Sequence, residues 1–264
     1  MICNGWALGP RGRDAFQAMS GTTNNPEPLQ RLLDESLQAG ASGDWVGACV
    51  AALDAIYNAR QRLDFAGMSR AIAAYRKACA EVIQEAERAG GGAMIIARGA
   101  DAPDPLRAGC YLLQPPMIGA DAARLREAAF AGRLPVRVLA REPMTRDGHW
   151  PVVAVGDVIV RTKVVPPEQL ERVEGAITKD AYPGPAPLDW FRAAIESLGE
   201  TALSRLDADE PAQHRVDDLL EILSALPEHP SVLDALESAC AEAQEKPAPT
   251  LPRRRPVIDD PYSF

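Results

Sequence analysis

The histidines and cysteines of this chain are few and stand apart. The three histidines share no metal-ligand spacing, and none neighbours a serine or cysteine in a nucleophile motif (His149, His214, His229). Neighbouring carboxylates such as Asp217 and Asp218 point about 100° apart on a helix, so they cannot form an acid–base dyad. The sequence therefore predicts no catalytic constellation, no metal site and no cofactor.

The cysteines favour the same conclusion. There are five, they form no CxxC pair, and none has a histidine at ligand spacing (Cys3, Cys49, Cys79, Cys110, Cys240). Three of them fall on apolar faces of predicted helices, where cysteine behaves as a small hydrophobic residue. We interpret them as reduced structural thiols, which is typical of a reducing compartment.

One loop could bind an anion through its backbone. Gln114 to Asp121 leads from a predicted strand into a helix, and a helix N-terminus presents amide donors to a phosphate or carboxylate. Gly119 would let the ligand approach, and Arg124 and Arg126 would add positive charge. Asp121 competes for the same amides as an ordinary N-cap, and phosphate loops carry several glycines rather than one. We favour ordinary capping and keep an anion site as the alternative.

The arginines of the predicted strands are a second candidate. Residues 92–166 hold ten basic and seven acidic residues, whereas residues 167–245 hold five basic and 18 acidic ones. The basic residues of these strands could face a small anionic ligand, lie on a solvated face, or dock the acidic helices of the same chain (Arg137, Arg141, Arg146, Arg161, Lys163). Because the basic excess is small and no aromatic pairs interleave it, nucleic-acid binding is disfavoured.

The C-terminal residues form a third candidate. Residues 246–264 are proline-rich and are predicted to be a disordered tail. Its basic cluster and terminal aromatic residues could dock on a partner as a short peptide (Arg253, Arg254, Arg255, Tyr262, Phe264). The alternative is a solubilising tail.

Apolar periodicity predicts helices in the first third of the chain. We expect a flexible leader over 1–26 and a helical region over 27–91, in which a short helix precedes an antiparallel hairpin of two longer helices, about 44–62 and 68–88. No 34-residue period is present, so we do not expect a helical solenoid.

The centre changes to strand periodicity. Residues 92–166 predict the order β-β-α-β-β-β, with Asp147-Gly148 and Gly156-Asp157 supplying the positive φ of two hairpins. We therefore expect a small antiparallel sheet in an α+β module. Residues 167–245 predict an acidic helical region, including a helix around Leu170 to Ile177.

These observations favour a non-enzymatic protein-interaction or regulatory protein that binds an unidentified protein partner. The alternative is a small anionic-ligand-binding protein or enzyme that uses the 114–121 loop and the 141–150 hairpin. No apolar run approaches the 18 residues of a membrane span and no signal-peptide pattern is present, so we expect a cytoplasmic protein without membrane contact. The excess of arginine over lysine is typical of a GC-rich bacterial genome.

Overall fold

A computed structural model describes residues 27–168 and 184–246. Within these ranges the chain forms seven α-helices and one five-stranded sheet, which confirms the α+β class. The helices are α1 Pro28–Ala41, α2 Trp45–Gln61, α3 Phe65–Arg88, α4 Gly119–Ala131, α5 Leu188–Leu203, α6 Ala212–Ala225 and α7 Pro230–Glu245. The strands are β1 Ala93–Ile96, β2 Gly109–Leu113, β3 Val136–Arg141, β4 Trp150–Val155 and β5 Ile159–Val164. No helix in these ranges is both long and apolar enough to cross a bilayer. The helix predicted around Leu170 lies outside the described residues.

The sheet is mixed, with its strands in sequence order from β1 to β5. The predicted meander of β3, β4 and β5 is antiparallel, as expected. β1, β2 and β3 are parallel, so the prediction of an antiparallel sheet is wrong for this half. The connections explain the difference: residues 97–108 and the segment that contains α4 are both long enough to return the chain to the same end of the sheet.

The two faces of the sheet pack against different helices. Tyr111 and Leu113 of β2 belong to a small apolar cluster that includes Ala122 and Ala129 of α4. Leu112 points to the opposite face and joins the main core with α3 and α5. Since both faces are covered, residues on either side of the central strands are buried.

Glycine is needed in the two predicted hairpin turns for different reasons. Gly148 has φ 82°, as the Asp147-Gly148 hairpin requires. Gly156 is not among the positive-φ residues, so that part of the prediction is wrong. A Cβ on Gly156 would come within 2.4 Å of the Ala225 backbone nitrogen, so glycine is needed there for the close approach of α6.

The N-terminal helices share a 20-residue repeat, which is shorter than the 34-residue period of a helical solenoid. Asp44 caps α2 by accepting from the Gly47 amide at 2.8 Å, and Asp64 caps α3 by accepting from the Gly67 amide at 2.7 Å. Each helix thus begins with Asp, an aromatic residue, any residue and Gly. The repeat gives the turns before α2 and α3 the same backbone hydrogen bonds, which place the three helices side by side.

The free edge of β1 is met at one point by the segment that precedes α5. Ala93 and Ala186 exchange two backbone hydrogen bonds, each 2.8 Å long. α5 then packs on β4 and β5, while α7 packs against α3 and α6. The boundaries drawn between the sequence regions stay a prediction.

Candidate functional site

Asp121 is not the N-cap that the sequence predicted, because α4 begins at Gly119 with Ile118 as its N-cap and Asp121 at the third helical position. Asp121 accepts from the Ile118 amide at 2.9 Å and pairs with Arg124 at 2.7 Å. A Cβ on Gly119 would lie 2.6 Å from Val155, so this glycine lets α4 pack closely on β4. Asp121 is therefore already paired, with the Ile118 amide and with Arg124.

Arg141 and Arg161 do not form a solvated basic face. Arg141 is only 1% exposed, donates to Gln114 Oε1 at 2.8 Å, and lies over the Trp150 ring with its guanidinium carbon 4.2 Å from the centroid. Arg161 donates to Glu142 Oε1 at 2.7 Å. Arg146 is exposed in the β3–β4 turn. Arg141 and Arg161 thus share Glu142, because Arg141 also donates to the Glu142 carbonyl oxygen at 3.3 Å.

Arg137 carries the contact between the sheet and the acidic helices. Its guanidinium donates to Glu87 of α3 at 2.6 Å and to Glu228, in the α6–α7 connection, at 3.0 Å. All three side chains are nearly buried, at 7%, 13% and 11% exposure. Arg192 of α5 donates to the second oxygen of Glu87 at 2.7 Å. Residues from four elements therefore meet in one ion-pair network.

The pKa values of the two glutamates differ because their partners differ. Hydrogen bonding to Arg192 lowers the pKa of Glu87, with further lowering from Arg137. Burial raises the pKa of Glu228, and the opposing charge of Arg137 only partly offsets it. Glu228 is thus the member of this network with the least charge compensation.

A second arginine of the centre also binds the acidic region. Arg126 of α4 donates to the carbonyl oxygens of Ala225 at 3.0 Å, Ser224 at 3.0 Å and Val155 at 2.9 Å. Two of these carbonyls belong to the last turn of α6, where a cation is favoured by the helix dipole. Arg126 therefore caps α6 from the other side of β4, a role that the sequence did not reveal.

A small cavity lies beside the Arg137 network. Its volume is about 30 Å³, enough for one or two water molecules, and His229 contributes to its wall. His229 is buried, its Nε2 lies 3.4 Å from Glu196 Oε2, and neither ring nitrogen makes a hydrogen bond within the described ranges. Burial lowers the pKa of His229. The cavity is too small for a substrate.

A larger groove lies where the α2–α3 turn meets the start of α6 and the end of α7. It encloses about 740 Å³, and we call it the terminal groove (Arg60, Leu63, Asp64, Phe65, Ala66, Gln213, His214, Asp217, Ala243, Gln244, Lys246). Arg60 and Asp217 form a bidentate ion pair within it, with the Arg60 Nε and Nη2 atoms donating to the two carboxylate oxygens at 2.7 and 2.8 Å. The Gln213 amide donates to the Lys246 carbonyl at 3.1 Å and so holds the end of α7.

Leu63 is the unusual residue of the terminal groove. Its φ is +57°, a left-handed conformation that costs a non-glycine residue about 1–2 kcal/mol, and its apolar side chain is 58% exposed. Gly43 occupies the equivalent turn position of the preceding repeat, with φ 82°. Leucine thus stands where glycine would be more stable, with its side chain facing solvent.

A third groove, of about 270 Å³, lies among α1, α2 and α3. It includes Leu37, which is 62% exposed and sits on regular helix. Leu37 therefore resembles Leu63 in chemistry and exposure but not in backbone conformation.

Of the residues that the sequence singled out for anion binding, Arg126 and Arg137 line the small cavity. The others line none of these three cavities (Gly119, Arg124, Arg141, Arg146, Arg161, Lys163). The tail candidates lie outside the described residues (Arg253, Arg254, Arg255, Tyr262, Phe264). Over 27–168 and 184–246 no group of three His, Cys, Asp or Glu side chains could hold a metal ion. Leu63 was missed because a lone leucine between helices carries no chemical signal, although aligning it with Gly43 would have exposed it.

Comparison with protein-family models, with curated proteins and with solved structures gave no significant match to this chain.

Proposed function

We propose that this chain is a non-enzymatic protein-interaction protein that binds a peptide segment of a partner in the terminal groove. The observation that carries the proposal is Leu63, an exposed leucine kept in a left-handed backbone conformation. Strained backbone persists where the surrounding structure or a function demands it, and here the strained residue faces a groove. An apolar side chain displayed in this way suits a partner's apolar anchor.

The polar residues of the groove support binding rather than catalysis. Arg60 and Asp217 neutralise each other, and Asp64 accepts the Gly67 amide as a helix cap. The His214 Nδ1 atom lies 3.0 Å from a carboxylate oxygen of Glu210. These groups hold the groove walls together, which is what a preformed docking surface requires.

We place this function in the bacterial cytoplasm, also as a proposal. The four cysteines within the described residues are free thiols, as expected in a reducing compartment.

The experiment is a selection from a random peptide library on the purified full chain, followed by affinity measurements. Asn tolerates the left-handed conformation, so Leu63→Asn removes the apolar side chain and keeps the backbone. Burying a leucine contributes about 1.5–3 kcal/mol, so we expect the variant to bind the selected peptides at least about tenfold more weakly. Leu37→Asn is the matched control and should leave binding unchanged. Peptides bound equally well by the wild type and Leu63→Asn would refute the proposal.

A small anionic ligand is the second candidate. Its support is the position of Gln114 and Arg141, which meet beyond the carboxyl ends of neighbouring parallel strands, where α/β sheets often bind ligands. A thermal-shift screen with nucleotides, sugar phosphates and dicarboxylates tests it. Stabilisation that is lost in Arg146→Ala, an exposed position of the hairpin, would favour this function over peptide binding.

A further inference from the structure

We propose that the occupant of the terminal groove in the isolated protein is the chain's own C-terminal segment, residues 247–264. The proposal rests on the proposed function in that both use the same groove. It adds a regulatory step, because a partner must displace this segment before it can bind.

The start of the segment is the first argument. Lys246, the last described residue, is itself part of the groove wall. Its carbonyl accepts the hydrogen bond from Gln213, so the chain leaves α7 at a defined point inside the groove. An extended chain rises about 3.1 Å per residue, which puts Arg253 to Arg255 within roughly 22–28 Å of that point. The groove and its surroundings lie within this reach.

Charge is the second argument. The turn Asp207–Glu210 contacts the groove through Glu210, which lies 3.0 Å from His214. Asp207 and Asp209 of this turn are exposed, and the Asp207 carboxylate accepts from the Asp209 amide at 2.9 Å. The segment offers the complementary charge in Arg253, Arg254 and Arg255.

Apolar matching is the third argument. Leu251 precedes the arginine cluster by two residues, and Val257 and Ile258 follow it. These are apolar anchors of the kind that Leu63 would contact. The groove volume of about 740 Å³ lies in the range that proteins use to bury several such groups.

Tethering makes even a weak contact effective. A short flexible connection gives an effective concentration of about 1 mM, so a segment that binds with a Kd of about 0.1 mM would fill the groove about 90% of the time. The apparent affinity for a partner would then fall about tenfold.

The test is trypsin cleavage of the full chain in the absence of any partner. The bonds after Arg253 and Arg254 are cleavable, whereas proline follows both Lys246 and Arg255 and protects those bonds. The rate of loss of the C-terminal fragment is followed by mass spectrometry and compared with cleavage of a synthetic peptide of residues 247–264. We expect cleavage about tenfold slower in the full chain. Leu63→Asn should restore the peptide's rate and Leu37→Asn should not, with circular dichroism to show that both variants fold.

Three results would overturn the proposal. Cleavage of the wild type at the rate of the free peptide would show that the segment is not held. Protection that persists in Leu63→Asn would place it elsewhere, and protection that disappears on dilution would assign the groove to the tail of a second copy. These results are distinguishable from a failure of the proposed function, which the library selection tests. If peptides bind in a Leu63-dependent way but the tail is not protected from trypsin, the proposed function stands and only this inference is refuted.

Discussion

Replacing Arg137 with methionine should destabilise the protein far more than removing any exposed arginine. Methionine keeps the length and apolar character of the side chain, so packing against Phe191 is largely preserved. Glu87 keeps its hydrogen bonds to Arg192, whereas Glu228, at 11% exposure, loses its hydrogen-bonded partner. Removing one partner of a buried ion pair costs about 3–5 kcal/mol, and we expect a loss of unfolding free energy in this range at pH 8.

The loss should depend on pH with a definite sign. Burial already raises the pKa of Glu228 above its ordinary value, and removing Arg137 raises it further. A carboxyl group with a raised folded-state pKa destabilises the protein once the pH exceeds its unfolded value of about 4.3, and this effect grows until the folded-state pKa is passed. The difference between wild type and Arg137→Met should therefore be smaller at pH 5 than at pH 8.

Urea unfolding at pH 5 and pH 8, followed by tryptophan fluorescence, measures the difference in unfolding free energy between the wild type and Arg137→Met. Trp150 and Trp190 pack edge to face, with centroids 5.5 Å apart, and report on the same region. Arg76→Met is the control, because Arg76 pairs with Asp234 and Glu237 at a side chain that is 36% exposed. This variant should lose no more than about 1 kcal/mol of unfolding free energy. Adding Glu228→Gln to Arg137→Met should recover much of the loss. An Arg137→Met effect below about 1 kcal/mol, or one that is equal at pH 5 and pH 8, would refute the reasoning.

Three further perturbations test other parts of the structure. Leu63→Gly should raise the unfolding free energy by about 1 kcal/mol, because glycine adopts positive φ without strain; a destabilised variant in thermal unfolding would contradict this. Gly199→Ala should lower it by about 1–3 kcal/mol, since a Cβ there would lie 2.0 Å from His229 Nε2, and wild-type stability in urea would argue against that contact. Burial lowers the pKa of His229 in the folded protein. As the pH falls below about 6.5, the unfolded chain therefore protonates at this histidine before the folded chain does, and the unfolding free energy should decline. His229→Gln should flatten this decline when the unfolding free energy is measured over a series of pH values.

Helix positions were predictable because their apolar residues recur at helical spacing. Strand direction was not: the runs at 93–97 and 110–114 have the same composition in a parallel or an antiparallel sheet, and only the path of residues 97–108 decides between them. The placement of Arg141 failed for a related reason. Alternation along a strand assigns a residue to a face, but it does not reveal that helices cover both faces.

The candidate site was harder to predict than the fold. The charge asymmetry raised the alternative that the basic centre docks the acidic helices. Arg137 reaches Glu228 in the α6–α7 connection, whereas Arg141 and Arg161 bond within the centre. The groove around Leu63 depends on a backbone angle and on the approach of α7 from a distant part of the sequence. The angle could be inferred only by aligning Leu63 with Gly43 in the 20-residue repeat, and the approach of α7 is not encoded in a local pattern of residue types.

The bridge between Ala93 and Ala186 has a consequence for synthesis on the ribosome. β1 is complete at Ile96, but the residue that meets its edge is made about 90 residues later. At roughly 5–20 residues per second, the nascent strand waits about 5–18 s with that edge unpaired. An open strand edge can recruit other strands, so the nascent chain is exposed to such pairing at Ala93 during this interval.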